Sequence, residues 1–262
     1  MGSSTELPVT RAKSVSATSA PYETDRAATN PTAVADADTA IERARLRVVL
    51  ATILLNVAAV ALLTLAPEAA WHSGLAVALA DGALLLGFVV IHRDRFMARL
   101  IVFGLAVGFA ELAADAWLVK ATGTLDYSIA GGPMLWASPV WMPLAWGAVA
   151  VQTGYVGIRL GERFGGPGVF LTGVLGAIYI PYYEEMARHI HWWTYNGCRM
   201  ISNTPYYIIL GEFGIAIALV LLARPLRHRG TASAVGLGLL GGAAILVCYA
   251  LAHAAMDGSV PV

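Results

Sequence analysis

Five acidic side chains lie inside long apolar stretches of this sequence, where an ionisable group is costly to bury. A carboxyl group of this kind holds its proton when water is excluded, and it can then donate that proton to a substrate. Protonation of an alkene requires such an acid close to the double bond, so the chemistry suits an apolar substrate. The candidates are Asp81, Glu111, Asp115, Glu184 and Glu185.

Two of these acids are four residues apart, which places them on one face of a helix. Glu111 and Asp115 have this spacing. Two carboxyl groups so close in an apolar environment do not both stay ionised, and we expect one of them to hold a proton. With Glu212 and His253 from later segments, the acids predict one polar pocket near one membrane face.

The stretch PYYEEMARHIHWW contains a second group of charges. Glu184 lies four residues before Arg188, and Glu185 lies four residues before His189. We predict a structural pair of Glu184 with Arg188, which leaves Glu185 facing the pocket with His189. The reverse assignment stays open, because adjacent helical residues differ by about 100° around the axis.

Aromatic residues follow this stretch: Trp192, Trp193, Tyr195, Tyr206 and Tyr207. Trp and Tyr at the end of a membrane span most often form an interfacial belt, which we take as the first interpretation. The second interpretation is a substrate site, in which Trp192, Trp193 and Tyr195 stabilise a carbocation through their ring faces. Asp81 is equally open to two roles, one in helix packing and one in substrate binding.

Metal and cofactor motifs are not found in the sequence. His189 and His191 diverge on a helix, and the histidine boxes of di-iron membrane oxygenases are absent. Cys198 and Cys248 form no CxxC pair. Glycine-rich phosphate loops and paired Asp-rich motifs are also absent. We therefore expect no metal and no cofactor.

The composition is that of a membrane protein. Of 262 residues, 58% are hydrophobic and 13% are charged, and the formal net charge is zero. The mean hydropathy of +0.66 favours several membrane spans over a soluble domain. A neutral chain has no basic field for nucleic acid, so we expect the lipid bilayer as its partner and no nucleic acid. The oligomeric state is left open.

Hydropathy and arginine placement predict an all-α fold, a seven-transmembrane-helix bundle in the cell membrane. Residues 1–42, poor in apolar runs, are expected to be a disordered cytoplasmic tail, and residues 43–262 the membrane domain. Arginines cluster before the first span and in every second connection, which predicts a cytoplasmic N-terminus and an external C-terminus. No repeat of fixed period is evident. The predicted spans are residues 47–66, 72–91, 100–119, 139–158, 168–190, 206–223 and 234–254.

Three segments resemble known enzymes of isoprenoid metabolism. AELAADAWLVKATGTLDYS, GGPMLWASPVWMPLAWGAVA and WWTYNGCRMISNTPYYIILGEF are similar to membrane carotenoid hydratases of the bisanhydrobacterioruberin hydratase type. PYYEE resembles the Pro-x-Glu-Glu motif of heterodimeric lycopene cyclases, with one extra residue here. Small seven-span terpene cyclases of meroterpenoid pathways are similar in size and in their use of buried acids. The matching positions are Glu111, Gly123, Tyr127, Pro139, Pro143, Ala145, Trp146, Trp193, Asn203 and Gly211.

The resemblance implies a metal-independent terpene cyclase or carotenoid hydratase acting on a lipophilic isoprenoid. Glu185 or Glu111 would be the acid, and Asp115 and His189 would hold or tune it. Tyr127, Trp146 and Asn203 would contact the substrate. Two other classes remain open: a proton- or cation-coupled transporter, and a structural membrane subunit.

Overall fold

The computed structural model describes residue 2 and residues 31–67 and 70–257, with side chains described from residue 39 onward. The chain divides into two units between Thr39 and Ala40, and the following paragraphs concern the second. Most of the predicted tail, residues 1–42, lies outside the described residues. The first helix begins at Pro31, before the predicted boundary.

Seven helices make up most of the described chain. They are α1 (Pro31–Leu63), α2 (Ala70–His92), α3 (Arg95–Trp117), α4 (Met142–Phe164), α5 (Gly166–His189), α6 (Tyr206–Ala223) and α7 (Thr231–Asp257). A π-helical turn at Leu118–Thr122 extends α3, and a 3₁₀ turn at Arg224–Arg227 follows α6. Each predicted span coincides with one helix.

Five of the helices in the described part of the chain are long and apolar enough to cross a membrane: α1, α2, α3, α6 and α7. α4 and α5 have similar lengths, 23 and 24 residues, but carry more polar side chains. Many side chains of these two helices line an internal cavity rather than the outside of the bundle. The finding is consistent with a membrane protein, whereas seven crossings remain a prediction.

Six two-residue strands lie in the connections at one end of the bundle, which we call the hairpin end. They are β1 (Leu125–Asp126), β2 (Met134–Leu135), β3 (Ser138–Pro139), β4 (Thr194–Tyr195), β5 (Met200–Ile201) and β6 (Thr204–Pro205). β2 pairs with β3 and β5 with β6, each as a hairpin leading into a helix. β1 pairs antiparallel with β4 and so joins the two connections.

The same order of elements occurs twice, in α3–β1–β2–β3–α4 and in α5–β4–β5–β6–α6. Met134 pairs with Pro139 as Met200 pairs with Pro205, 66 residues later. Each hairpin also has a positive φ at its turn, 58° at Trp136 in the first and 54° at Ser202 in the second. The sequence analysis found no such repeat, because few residues are identical and the connections differ in length.

The helix crossings repeat in the same way. A Cβ on Gly104 of α3 would meet the carbonyl oxygen of Gly147 in α4 at 2.4 Å. A Cβ on Gly173 of α5 would meet that of Phe213 in α6 at 2.9 Å. Glycine therefore lets the backbones approach closely at equivalent points of the two helix pairs.

Ion pairs join the helices at the opposite end, which we call the arginine end. Glu42 of α1 binds Arg45 and Arg227, and Arg45 also binds Asp94 with an Nε–Oδ2 distance of 2.7 Å. The guanidinium groups of Arg45 and Arg227 both lie over the ring of Phe96. These contacts fasten α1 to the N-terminus of α3 and to the turn after α6.

α1 is the least enclosed of the five apolar helices. Only 22% of its most apolar window is buried, compared with 50% for α3 and α6. Beyond the arginine end it is held by side-chain contacts such as Asn56 to Asp81 and Tyr182 to the carbonyl oxygen of Val57. α1 thus covers one side of a bundle whose centre is formed by α3 to α7.

Candidate functional site

A partly enclosed cavity of about 360 Å³ lies inside the helix bundle. Helices α1 to α7 and both connections of the hairpin end contribute to its wall, which is mainly apolar. A wider, open groove of about 480 Å³ lies at the surface beside Glu185. We take the partly enclosed cavity as the candidate site, because it is less open than the groove and brings several acids together.

Glu184 of α5 provides the first acid of the cavity. Its side chain is buried, and it accepts hydrogen bonds from Trp193 Nε1 and from Tyr195 Oη, the latter at 3.1 Å. The predicted structural pair of Glu184 with Arg188 is therefore wrong, and the reverse assignment, which the sequence left open and which turns Glu184 toward the pocket, agrees with the structure. Glu184 shares the inward side of α5 with Ala187, which is fully buried.

Glu185 instead faces the open groove. Its Oε2 accepts hydrogen bonds of 2.9 Å from Ser202 Oγ and Asn203 Nδ2 in the second hairpin. His189 is largely exposed, and its Nδ1 lies 2.7 Å from the backbone oxygen of Glu185. The prediction that Glu185 and His189 face the pocket is wrong, because a step of one residue turns the side chain about 100° away from Glu184.

Asp115 lies near the end of α3 and provides a second acid. It accepts a 2.8 Å hydrogen bond from the hydroxyl of Tyr127, which belongs to the first connection. Burial, and then the nearby Asp115, raise the pKa of Tyr127 well above its usual value. The Tyr127 hydroxyl therefore stays protonated and remains a hydrogen-bond donor to Asp115 at neutral pH.

Glu111 lies one turn behind Asp115 and outside the cavity wall. It is completely buried, and its carboxyl group interacts with that of Asp115. Neither of its oxygens has a hydrogen bond of normal geometry to the described residues. The predicted proximity of the two acids is confirmed, but only Asp115 is in a position to touch a ligand.

Two further acids complete the wall. Glu212 of α6 accepts a 2.6 Å hydrogen bond from Tyr249 of α7. Asp81 of α2 accepts a 2.9 Å hydrogen bond from Asn56 of α1. Glu212 was noted among the buried acids but was not a predicted site residue, since it has no acidic neighbour in sequence.

A cluster of aromatic rings covers the acids at the hairpin end. Trp192 and Trp193 are 1% and 7% exposed, and their ring centroids lie 5.9 Å apart. Trp141, before α4, lies 5.4 Å from Trp192, and Tyr183 lies 6.0 Å from both Trp192 and Trp193. Quadrupoles of Trp and Tyr faces favour a cation held between them.

The belt interpretation is wrong for most of these rings, because belt residues face lipid. Trp192, Trp193, Tyr195 and Tyr207 are buried, whereas Tyr206 is 42% exposed. The Trp192 indole also donates hydrogen bonds to Ser73 Oγ and to the carbonyl oxygen of Ala70, which fixes it against α2. The second interpretation, in which the rings line a site, agrees with their position.

Most of the predicted site residues meet at this cavity, and four do not. The wall includes Asp81, Asp115, Tyr127, Trp146, Glu184, Trp192, Trp193 and Tyr195. Glu111, Glu185, His189 and Asn203 lie outside it. The sequence analysis missed Trp141, Tyr183 and Gln152, because none of them lies three or four residues from a predicted site residue.

The wall carries acids without basic partners. Among its described residues none is Lys, Arg or His. Across the described part of the chain, no group of three or more His, Cys, Asp or Glu side chains is arranged to hold a metal ion. The site can therefore offer proton transfer, hydrogen bonds and aromatic faces.

Comparison with known proteins gives a family but no activity. No curated protein and no solved structure matches the chain. A family model described as "Domain of unknown function (DUF6989)" matches residues 112–256, more than half of the chain. The matched range includes Asp115, Tyr127, Glu184, Glu212 and Tyr249. The chain therefore belongs to the DUF6989 family.

Proposed function

We propose that this protein is a membrane-embedded enzyme that protonates an alkene or epoxide of an isoprenoid with a buried carboxylic acid. The observation that carries the proposal is the Glu184 carboxyl group, which faces the partly enclosed cavity and accepts hydrogen bonds from Trp193 and Tyr195. An apolar wall suits a hydrocarbon ligand, and the acids supply the reactive group.

The two hydrogen bonds to Glu184 fit the role of a proton donor. When the acid O–H bond breaks and its proton forms a C–H bond with the alkene, Glu184 becomes a carboxylate. Trp193 and Tyr195 both donate toward that carboxylate, and such fixed donors stabilise charge that develops during the reaction. The carbocation formed on the substrate lies under the rings of Trp141, Trp192 and Trp193, which stabilise it.

The fate of the cation decides the product. Attack by an internal alkene forms a ring and a new carbocation, which then loses a proton, and attack by water followed by proton loss forms an alcohol. Loss of a proton to a carboxylate gives a shifted alkene, and Asp115 is the second wall acid placed to accept it near the hairpin end. Cyclase and hydratase are thus two outcomes of one first step.

The proposed setting is the cell membrane, with seven spans and a cytoplasmic N-terminus. Arginines from four separate segments meet at the arginine end, where Arg45 binds Asp94, Arg99 donates to the carbonyl oxygen of Arg229, and Arg227 binds Glu162. Positive side chains concentrate on the cytoplasmic side of membrane proteins. Large apolar side chains on the outside of the bundle, such as Leu54 and Ile178, suit contact with lipid.

The test compares membranes that contain wild type, Glu184→Gln or Glu185→Gln, each supplied with linear isoprenoids in ¹⁸O-labelled water. Mass spectrometry should detect a product with wild type and Glu185→Gln and none with Glu184→Gln. A gain of one labelled water identifies a hydratase, and an unchanged mass identifies a cyclase or isomerase. A product that survives Glu184→Gln, or no product from wild type across the panel, would overturn the proposal.

A transporter is the second candidate, favoured by the repeated helix pairs, since repeats of this kind are frequent in transporter folds. In that case Asp115, Glu184 and Glu212 would carry protons or cations. Uptake into proteoliposomes that depends on Glu184, without a chemically changed product, would support it.

A further inference from the structure

A second polar group lies in the same cavity, away from the acids of the hairpin end. Asp81 is 2% exposed, and one of its oxygens is bound by Asn56 while the other has no hydrogen-bond partner among the described residues. Gln152 of α4 is 9% exposed, and its Nε2 likewise has no partner there. Buried polar atoms are normally hydrogen-bonded, so these two atoms are available to bind a polar group of a ligand.

The group lies deeper in the bundle than the proposed acid. Asp81 and Gln152 lie roughly 15 Å from the ends of α2 and α4 at the hairpin end, at 1.5 Å per residue. Glu184 lies only about 8 Å from the corresponding end of α5. α2 and α4 pack against each other, and both side chains line the same cavity at a similar depth.

The unsatisfied atoms define what they can bind. The free oxygen of Asp81 accepts a hydrogen bond, and the free Nε2 of Gln152 donates one. A single hydroxyl group does both, because it has one O–H donor and two acceptor lone pairs. A phosphate or diphosphate does not fit, since the described wall has no Lys, Arg or His to balance its charge beside Asp81.

We infer that Asp81, Asn56 and Gln152 form a subsite for a hydroxyl group at the end of the substrate remote from the alkene that is protonated. This inference rests on the proposed function, which supplies the isoprenoid part of the substrate. It narrows the substrate class to an isoprenoid alcohol or phenol. The subsite binds the hydroxyl group, and the hydrocarbon chain of the substrate then extends along the cavity toward Glu184.

The test measures binding to the purified protein in lipid nanodiscs. Three probes of one chain length are used: farnesol, its methyl ether and the hydrocarbon without oxygen. Intrinsic tryptophan fluorescence reports occupancy, because Trp146, Trp192 and Trp193 line the same cavity. Farnesol should bind about tenfold more tightly than the ether and more tightly still than the hydrocarbon, since each step removes a hydrogen bond to a buried group.

Gln152→Leu and Asp81→Asn should each reduce the preference for farnesol by about tenfold, with hydrocarbon affinity unchanged. Glu185→Gln, outside the cavity wall, is the matched control and should keep the full preference. Equal affinity of wild type for all three probes, no binding of any probe, or a preference that survives Gln152→Leu in folded protein would overturn the subsite. An intact preference without any product from wild type would leave the subsite standing and refute the proposed reaction.

Discussion

Glu184 and Glu185 are chemically identical neighbours, and their surroundings give them different properties. Glu184 meets an indole and a phenol inside the bundle, whereas Glu185 meets Ser202 and Asn203 beside an open groove. Glu185 lies outside the cavity wall, so its replacement should have little effect on a reaction inside the cavity. The difference between the two positions is therefore the most direct measure of the proposed chemistry.

Glu111→Gln tests whether an acid outside the cavity wall takes part in the reaction. We expect product formation to stay within about tenfold of wild type, because Glu111 touches Asp115 and no ligand, whereas loss of a general acid costs at least about 100-fold. Initial rates per folded protein give the comparison. Loss of activity as complete as in Glu184→Gln would place the proton donor at Glu111 instead.

Cys198 reports on the closure of the hairpin end. Burial, and then Asp257, raise the pKa of its thiol from 9.0 to about 11. With Cys248→Ala, alkylation by iodoacetamide should be slow at pH 8 and should accelerate up to about pH 11, because the thiolate is the reactive form. The unfolded chain loses this proton first, so the same shift makes stability fall as the pH rises from about 9 to about 11. A rate that levels near pH 9 would show a water-exposed thiol.

The types of the site residues could be predicted from the sequence, but their directions could not. An acid inside an apolar segment is a candidate for function because its burial costs free energy, and Asp115 and Glu184 were found in that way. The choice between Glu184 and Glu185 depends on which side of α5 meets α6, and no local pattern contains that information. Trp141 was missed for a similar reason, since its burial depends on Gly74 of α2 leaving space for the ring.

At the scale of elements, glycines set how closely the helices pack. A Cβ on Gly108 of α3 would lie 2.0 Å from the carbonyl oxygen of Pro143 at the start of α4. Nothing lies within 4 Å of a Cβ placed on Gly87 in the middle of α2. The crossing of α3 and α4 positions Asp115 and Trp141, so the site depends on it.

Gly108→Ala should lower the free energy of unfolding by about 1–3 kcal/mol, as overpacking does in a close-packed interior. Gly87→Ala should leave stability unchanged or raise it by about 0.5–1 kcal/mol, since alanine favours the helix. Thermal unfolding of both variants in the same detergent provides the measurement. Equal melting temperatures would show that the α3–α4 crossing has room for a methyl group.

Hydropathy was sufficient to predict the positions of the helices, and the bounds of α6 coincide with those of its predicted span. The hairpins could not be predicted, because strands of two residues have no detectable alternation. β1 and β4 are also distant in sequence, and their pairing follows from the meeting of two connections. The repeated order of elements is visible in the backbone of the structure. It is not visible in the sequence, because few side chains are identical at equivalent positions.

At the scale of the whole molecule, the proposal places the two ends of the bundle on opposite sides of the membrane. Ser128 in the first connection and Thr231 at the start of α7 are exposed and are separated by α4, α5 and α6. Three crossings put them on different sides.

In a background of Cys198→Ala and Cys248→Ala, a membrane-impermeant maleimide should label Ser128→Cys in intact cells. Thr231→Cys should be labelled only after permeabilisation, since the proposed orientation places the arginine end in the cytoplasm. The opposite pattern would invert the orientation, and labelling of both positions in intact cells would mean that the segment between them crosses an even number of times.

The loosely enclosed α1 has a consequence for kinetics. Ile53 and Asn56 of α1 belong to the cavity wall, and only 22% of the most apolar window of α1 is buried, so in the proposed membrane setting this side of the cavity would lie next to the hydrocarbon of the bilayer. A substrate that enters the cavity past α1 comes from the lipid phase. The mole fraction of substrate in the lipid then determines how often the site is occupied. Two vesicle suspensions with equal total substrate but unequal amounts of lipid should then turn over at different rates, and the one with more lipid should be slower.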